Sequence, residues 1–179
     1  YHSGHGTFPP AATYGTGGAP LLSWRVLLLP YLGEEELYKQ FKLDEPWDSA
    51  HNKPLLAKMP EVFRAPGLGD KDSYETFYQV FTGKGTPFEG RDGIRLDQIT
   101  DNLEWTVLIV EAGTAVPWTK PADIVYDAGK PLPKLGGVFK DGFCAGLADG
   151  SAKFVPRDVA DVEFRAWITP AAGDVANNF

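Results

Sequence analysis

The sequence predicts an α+β fold, a long N-terminal helix packed on a mainly antiparallel β-sheet, and three observations predict it. Apolar residues recur at helical spacing from Trp24 to Phe41. Beyond residue 60 the apolar runs become short and are fenced by glycine, proline or aspartate, as strands are. Near the end, Asp149-Gly150 stands between two alternating segments, a favoured hairpin turn.

The 179 residues, 43% of them hydrophobic and 23% charged, suit a single domain spanning 1–179 with a core of its own. A net charge of −7 argues against a grip on phosphate backbones or anionic lipid, so nucleic acid is not an expected partner. Cys144 is the single cysteine, which excludes an internal disulfide and a cysteine-built zinc or iron–sulfur centre. The most apolar stretch, Leu21 to Leu32, is interrupted by Arg25 and Pro30 and does not reach the ~18 residues of a membrane helix. The chain starts at Tyr1 and carries only Met59, which leads us to expect further residues upstream.

Residues 1–22, rich in glycine, proline, alanine and threonine, predict an extended lead-in with a turn at Gly15-Thr16-Gly17-Gly18. Ser23 is a candidate N-cap for the helix carrying Trp24, Val26, Leu27, Leu28, Tyr31, Leu32, Leu37, Tyr38 and Phe41, bent at Pro30 or Gly33. A short helix is expected from Asp48 or Ser49 to Pro60, completing a helical part over 23–60. The rest, 61–179, is expected to be mainly β, with strands at Val62–Ala65, Thr76–Thr82, Gly93–Leu96 and Thr106–Ala112. Val107-Leu108-Ile109-Val110 reads as a central strand covered on both faces. Gly142–Val155 is expected to form a hairpin that sends Ala152 and Phe154 inward, and a short helix runs from Asp158 or Asp161 through Trp167. The expected core joins Trp24, Leu27, Leu28 and Tyr31 to Leu108, Val110, Leu147 and Phe154.

Several strings fall in an order that resembles a known family. They are Tyr1-His2, Gly6-Thr7-Phe8-Pro9-Pro10-Ala11, Leu22-Ser23-Trp24-Arg25-Val26-Leu27-Leu28-Leu29-Pro30-Tyr31-Leu32 and Asp44-Glu45-Pro46-Trp47-Asp48-Ser49-Ala50-His51-Asn52. Glu111-Ala112-Gly113, Pro117-Trp118-Thr119-Lys120-Pro121 and Asp149-Gly150-Ser151 follow. Over nearly the whole chain this is similar to the prepilin-like domains of unknown function found in planctomycete bacteria. The resemblance implies a soluble head of the type IV pilin or type II secretion pseudopilin kind, with long loops at 44–52, 84–92 and 114–137 facing partners. It implies an upstream leader and apolar helix that anchor the subunit in the cell envelope or outside it, and pilin-like subunits or secretion machinery as partners. Phe139 stands ten residues before Asp149, where relatives carry a histidine, so no role of that histidine transfers. Asp101-Asn102-Leu103-Glu104-Trp105-Thr106 replaces a smaller polar turn.

No catalytic constellation emerges. His2, His5 and His51 are the only imidazoles and nothing converges them. Asp48, Ser49 and His51 are too close in sequence for a linear proton relay. Glu111 follows the most apolar strand and invites two readings: a hydrolytic carboxylate with Asp44, Glu45, Asp48 or Asp123 as partner, or a structural acceptor paired with Arg25 or with backbone N–H groups. Trp24, Arg25, Glu111, Asp149 and Gly150 are accordingly expected to be structural. Asp44, Glu45 and Asp48, or Asp97 and Asp101, supply hard oxygens for calcium without an EF-hand spacing, and solvated turn charge is the alternative. Trp47 and Trp118, in polar proline-rich loops, are expected either to stack on a glycan ring or to pin their loops into the core.

Overall fold

A computed structural model describes residues 1–66 and 73–173. Residues 67–72 and 174–179, which belong to the expected β part, lie outside the described residues. Of the described residues, 23% are helical and 24% strand. The lead-in holds more structure than its composition promised: a helical turn α1 (His2–His5), then strands β1 (Ala12–Tyr14) and β2 (Pro20–Ser23), which pair antiparallel.

The long helix expected from residue 23 does not form. In its place come α2 (Trp24–Leu27), a 3-10 turn Leu29–Leu32 and α3 (Glu35–Tyr38). Pro30 brings no N–H to a helical ladder, and Gly33 closes the 3-10 turn in the left-handed region at φ 80°. The apolar stripe survives the segmentation, because Trp24, Val26, Leu29, Leu37 and Phe41 are all buried. Tyr31 departs from the stripe: it is 48% exposed, its ring against Tyr1 and His5. Further 3-10 turns cover Lys53–Lys58 and Glu61–Phe63, the second lying where a strand over Val62–Ala65 was expected.

Strands β3 (Glu75–Gln79), β5 (Val107–Pro117), β7 (Gly142–Leu147) and β8 (Ala152–Pro156) form an antiparallel sheet in the order β3-β5-β7-β8. Strands β4 (Phe81–Thr82) and β6 (Ile124–Val125) make a small parallel pair. The strand expected over Gly93–Leu96 is absent, and a 3-10 turn Leu96–Gln98 begins there. Helix α4 (Asp161–Ile168) buries Phe164, Trp167 and Ile168 in one core with Val110, Phe143, Ala145 and Val155. A second core gathers Trp24, Val26, Phe41, Phe63 and Trp118 with Leu108. The continuous apolar run of β5 thus meets α4 on one face and the segmented N-terminal half on the other.

The hairpin turns one residue differently from expectation. Leu147 N–H donates to Ser151 O at 2.9 Å and Gly150 N–H to Leu147 O at 3.0 Å, so the loop is three residues, Ala148 to Gly150. Gly150 has φ 88°, a left-handed conformation that disfavours any side chain and completes this loop type. The register that follows pairs Ala145 with Lys153 and Phe143 with Val155. A shift of one residue exchanges the faces of a strand. Val155 therefore enters the α4 core, and Phe154, expected inside, is 52% exposed on the opposite face.

Candidate functional site

The residues expected to be structural or functional divide between buried ties and the exposed surface, and an apolar groove opens beside Trp24. Ser23 caps α2 by accepting from Arg25 N–H at 3.3 Å, which aims the Arg25 side chain under the sheet edge. That guanidinium donates to Tyr78 O through Nε at 2.9 Å and Nη2 at 2.6 Å, and to Ser23 Oγ at 2.6 Å. Its carboxylate partner is Asp123, at 3.0 Å, and not Glu111. Asp123 Oδ1 also accepts from Trp24 Nε1 at 3.1 Å and Val80 N–H at 3.0 Å. Burial pushes the Asp123 carboxyl up, against the opposing pull of Arg25 and these donors.

Glu111 follows the backbone-acceptor alternative. Its two carboxylate oxygens accept from Val138 N–H at 2.6 Å and Cys144 N–H at 3.2 Å, tying the 135–139 segment across the sheet. Asp149 Oδ1 accepts from Ser151 N–H at 2.9 Å and Ser151 Oγ at 2.7 Å, which braces the hairpin loop around Gly150.

Trp118 is fully buried at 0% exposure, stacked on Phe63 at 5.8 Å, its indole N–H donating to Leu56 O at 3.0 Å. A ring with no exposed face cannot stack on a sugar, so its place is the core. Trp47 is half-buried, with Lys120 Nζ 5.5 Å from its centroid. Asp44, Glu45 and Asp48 do not converge: among the described residues no three histidine, cysteine, aspartate or glutamate side chains form a metal-sized group. Glu45 instead binds Lys42 Nζ at 2.8 Å, Asp97 pairs with Arg95, and Asp101 accepts from Ala172 and Gly173 N–H groups.

The organising roles of Asn52 and Asp123 escaped the sequence reasoning, which weighed Asp123 only as a hydrolytic partner of Glu111. Fully buried Asn52 accepts from Lys42 N–H at 3.0 Å and donates to the carbonyls of Lys42, Glu45 and Pro46, so it shapes the loop that had looked like an ion site. Its signal was an asparagine closing the 44–52 string. Asp123 carried no local signal, because its three partners lie 43 to 99 residues away. Ser49 Oγ is taken by Asn52 N–H, and His51 Nε2 lies 2.8 Å from Gln40 O, so no serine–histidine relay assembles.

The open feature is a groove of about 350 Å³ between the N-terminal segments and the sheet. Cys144, Gly146, Ile109 and Ala152 floor it, and Leu28, Leu32 and Val62 wall it, the last two 40% and 55% exposed. Phe154, paired with Cys144 in register, extends the apolar face toward Phe139, whose ring meets it edge-on at 5.8 Å. Burial pushes up both the Cys144 thiol and the Tyr78 hydroxyl, with Glu111 adding to each. Both groups therefore stay neutral near pH 7, and the groove offers apolar contact rather than a nucleophile.

A family model described as "Protein of unknown function (DUF1559)" matches residues 1–90. No curated protein and no solved structure matches the chain.

Proposed function

The chain belongs to the DUF1559 family of proteins of unknown function, and from that premise we propose that it is the non-enzymatic head of a prepilin-like structural subunit. In this reading the subunit resides in the cell envelope or outside it. An apolar helix preceding Tyr1 anchors it, and its partners are pilin-like subunits or secretion machinery. The observation that carries the proposal is the groove: Ile109 and Cys144 of the sheet and Leu28, Leu32 and Val62 of the N-terminal turns line an apolar surface that stays open. Apolar surface left open in this way is available to an apolar partner. Tyr1 packs on Tyr31 at a centroid distance of 5.5 Å, and Tyr31 adjoins Leu32 at the groove wall.

The codons upstream of Tyr1 test the proposal first: a basic leader followed by about 20 apolar residues is expected, and a cytosolic start overturns it. In the full-length protein Cys144 is expected to react with a maleimide more slowly than in the chain beginning at Tyr1. Equal rates would remove the groove from the reading.

A further inference from the structure

A second cleft, of about 720 Å³ and more polar than the groove beside Cys144, is walled by the 85–98 loop and the 169–172 segment. We propose that this cleft binds a short neutral saccharide, an inference that goes beyond the anchored-subunit reading and stands without it.

The walls are built, not draped. Phe8 N–H donates to Ile94 O at 2.8 Å, and a Cβ on Gly93 would collide with Phe8 O, so glycine is the residue that lets these two segments meet. On the opposite wall Thr100 and Asp101 N–H groups hold Pro170 O at 2.9 and 3.1 Å, and Asp101 caps Ala172 and Gly173. Thr86 turns the loop by donating to Gly83 O at 2.8 Å, and Glu89 closes it by accepting from Gly85 N–H at 2.7 Å.

What the cleft leaves available decides the ligand class. The Arg95 guanidinium is neutralised by Asp97, with Nε to Oδ1 at 2.9 Å and Nη2 to Oδ2 at 3.4 Å. Gln98 spends its carbonyl on Arg95 N–H at 2.9 Å, which leaves its amide nitrogen as a donor. Asp92 has no partner among the described residues, and Thr169 Oγ1 is buried without one. A free carboxylate, a second half-used carboxylate at Glu89 and an amide donor match vicinal hydroxyl groups, which donate and accept at once. Pro87, Ile94 and Pro170 add C–H surface for the apolar face of a sugar ring. An anionic ligand meets no uncommitted cation and is repelled by Asp92. A zwitterion finds a place for its ammonium and none for its carboxylate.

The test is amide chemical-shift titration of the chain with maltotriose, cellotriose and triacetylchitotriose, using Gly-Gly and putrescine as zwitterionic and cationic probes. At least one trisaccharide is expected to saturate, shifting Gly85, Gly93 and Gln98, with affinity lowered about tenfold by Asp92→Ala and unchanged by Trp47→Ala. Asp92 is exposed, so its substitution leaves folding intact, which thermal denaturation checks. The proposal is overturned by the absence of saturation up to about 20 mM, by shifts that survive both Asp92→Ala and Gln98→Ala, or by tighter binding of Gly-Gly or putrescine. Failure here is read at the cleft amides alone, whereas failure of the anchored-subunit reading appears at Cys144.

Discussion

Asp123 ties its own loop to two segments remote in sequence: Trp24 and Arg25 of α2, and Val80 between β3 and β4. With side-chain exposures of 0% and 4%, the Arg25–Asp123 pair has little water to fall back on. Removing one partner strands the other charge, so Asp123→Ala is expected to cost about 3–5 kcal/mol in urea denaturation. Asp123→Asn, which keeps an acceptor for Val80 and Trp24, is expected to cost less. Asp149 behaves in the opposite way, at the surface. The two bonds from Ser151 hold its carboxyl below the ordinary range. A carboxyl depressed in the folded state contributes stability above its unfolded value of about 3.9 and loses it as pH falls through the folded value. The melting-temperature gap between the native protein and Asp149→Asn should therefore narrow as pH is lowered from about 5 to about 2, and a gap constant over that range would refute the assignment. Sequence offered Glu111 as a partner for Arg25, whereas the guanidinium pairs with Asp123. The choice between Asp123 and Glu111 depends on where two strands and a loop come to rest in space.

Among the elements, α4 was the most legible, because Phe164, Trp167 and Ile168 keep one face at helical spacing and Asp161 and Glu163 favour its first turn. Its grip on the sheet is aromatic: Phe164 meets Phe81 and Phe143 edge-on at 6.2 and 5.1 Å and is fully buried. Phe164→Ala is expected to lose about 3–5 kcal/mol by urea denaturation, a smaller loss indicating that α4 contributes less than its burial implies. The segment from Trp24 to Phe41 was legible in its apolar period but not in its continuity. A single bend at Pro30 or Gly33 was expected, whereas the two residues together divide the stretch into separate turns. In the hairpin, Asp149-Gly150 located the turn correctly, yet the loop extends to Ala148. That single extra residue decided which face Phe154 occupies.

For the whole molecule, mixed helix and antiparallel sheet, the central β5 and the closing hairpin and helix followed from local patterns. Apolar period, turn chemistry and capping are properties of residues a few positions apart, and each acts before the chain is folded. Tertiary structure alone decided the rest: the Asp123 tie, the burial of Trp118, the dispersal of Asp44, Glu45 and Asp48, and the two clefts, an apolar one beside Cys144 and a more polar one beside Asp92. Each of these depends on strand register and on loops meeting across long sequence separations. A sequence specifies such meetings only through the balance of all its contacts, so no single motif announces them.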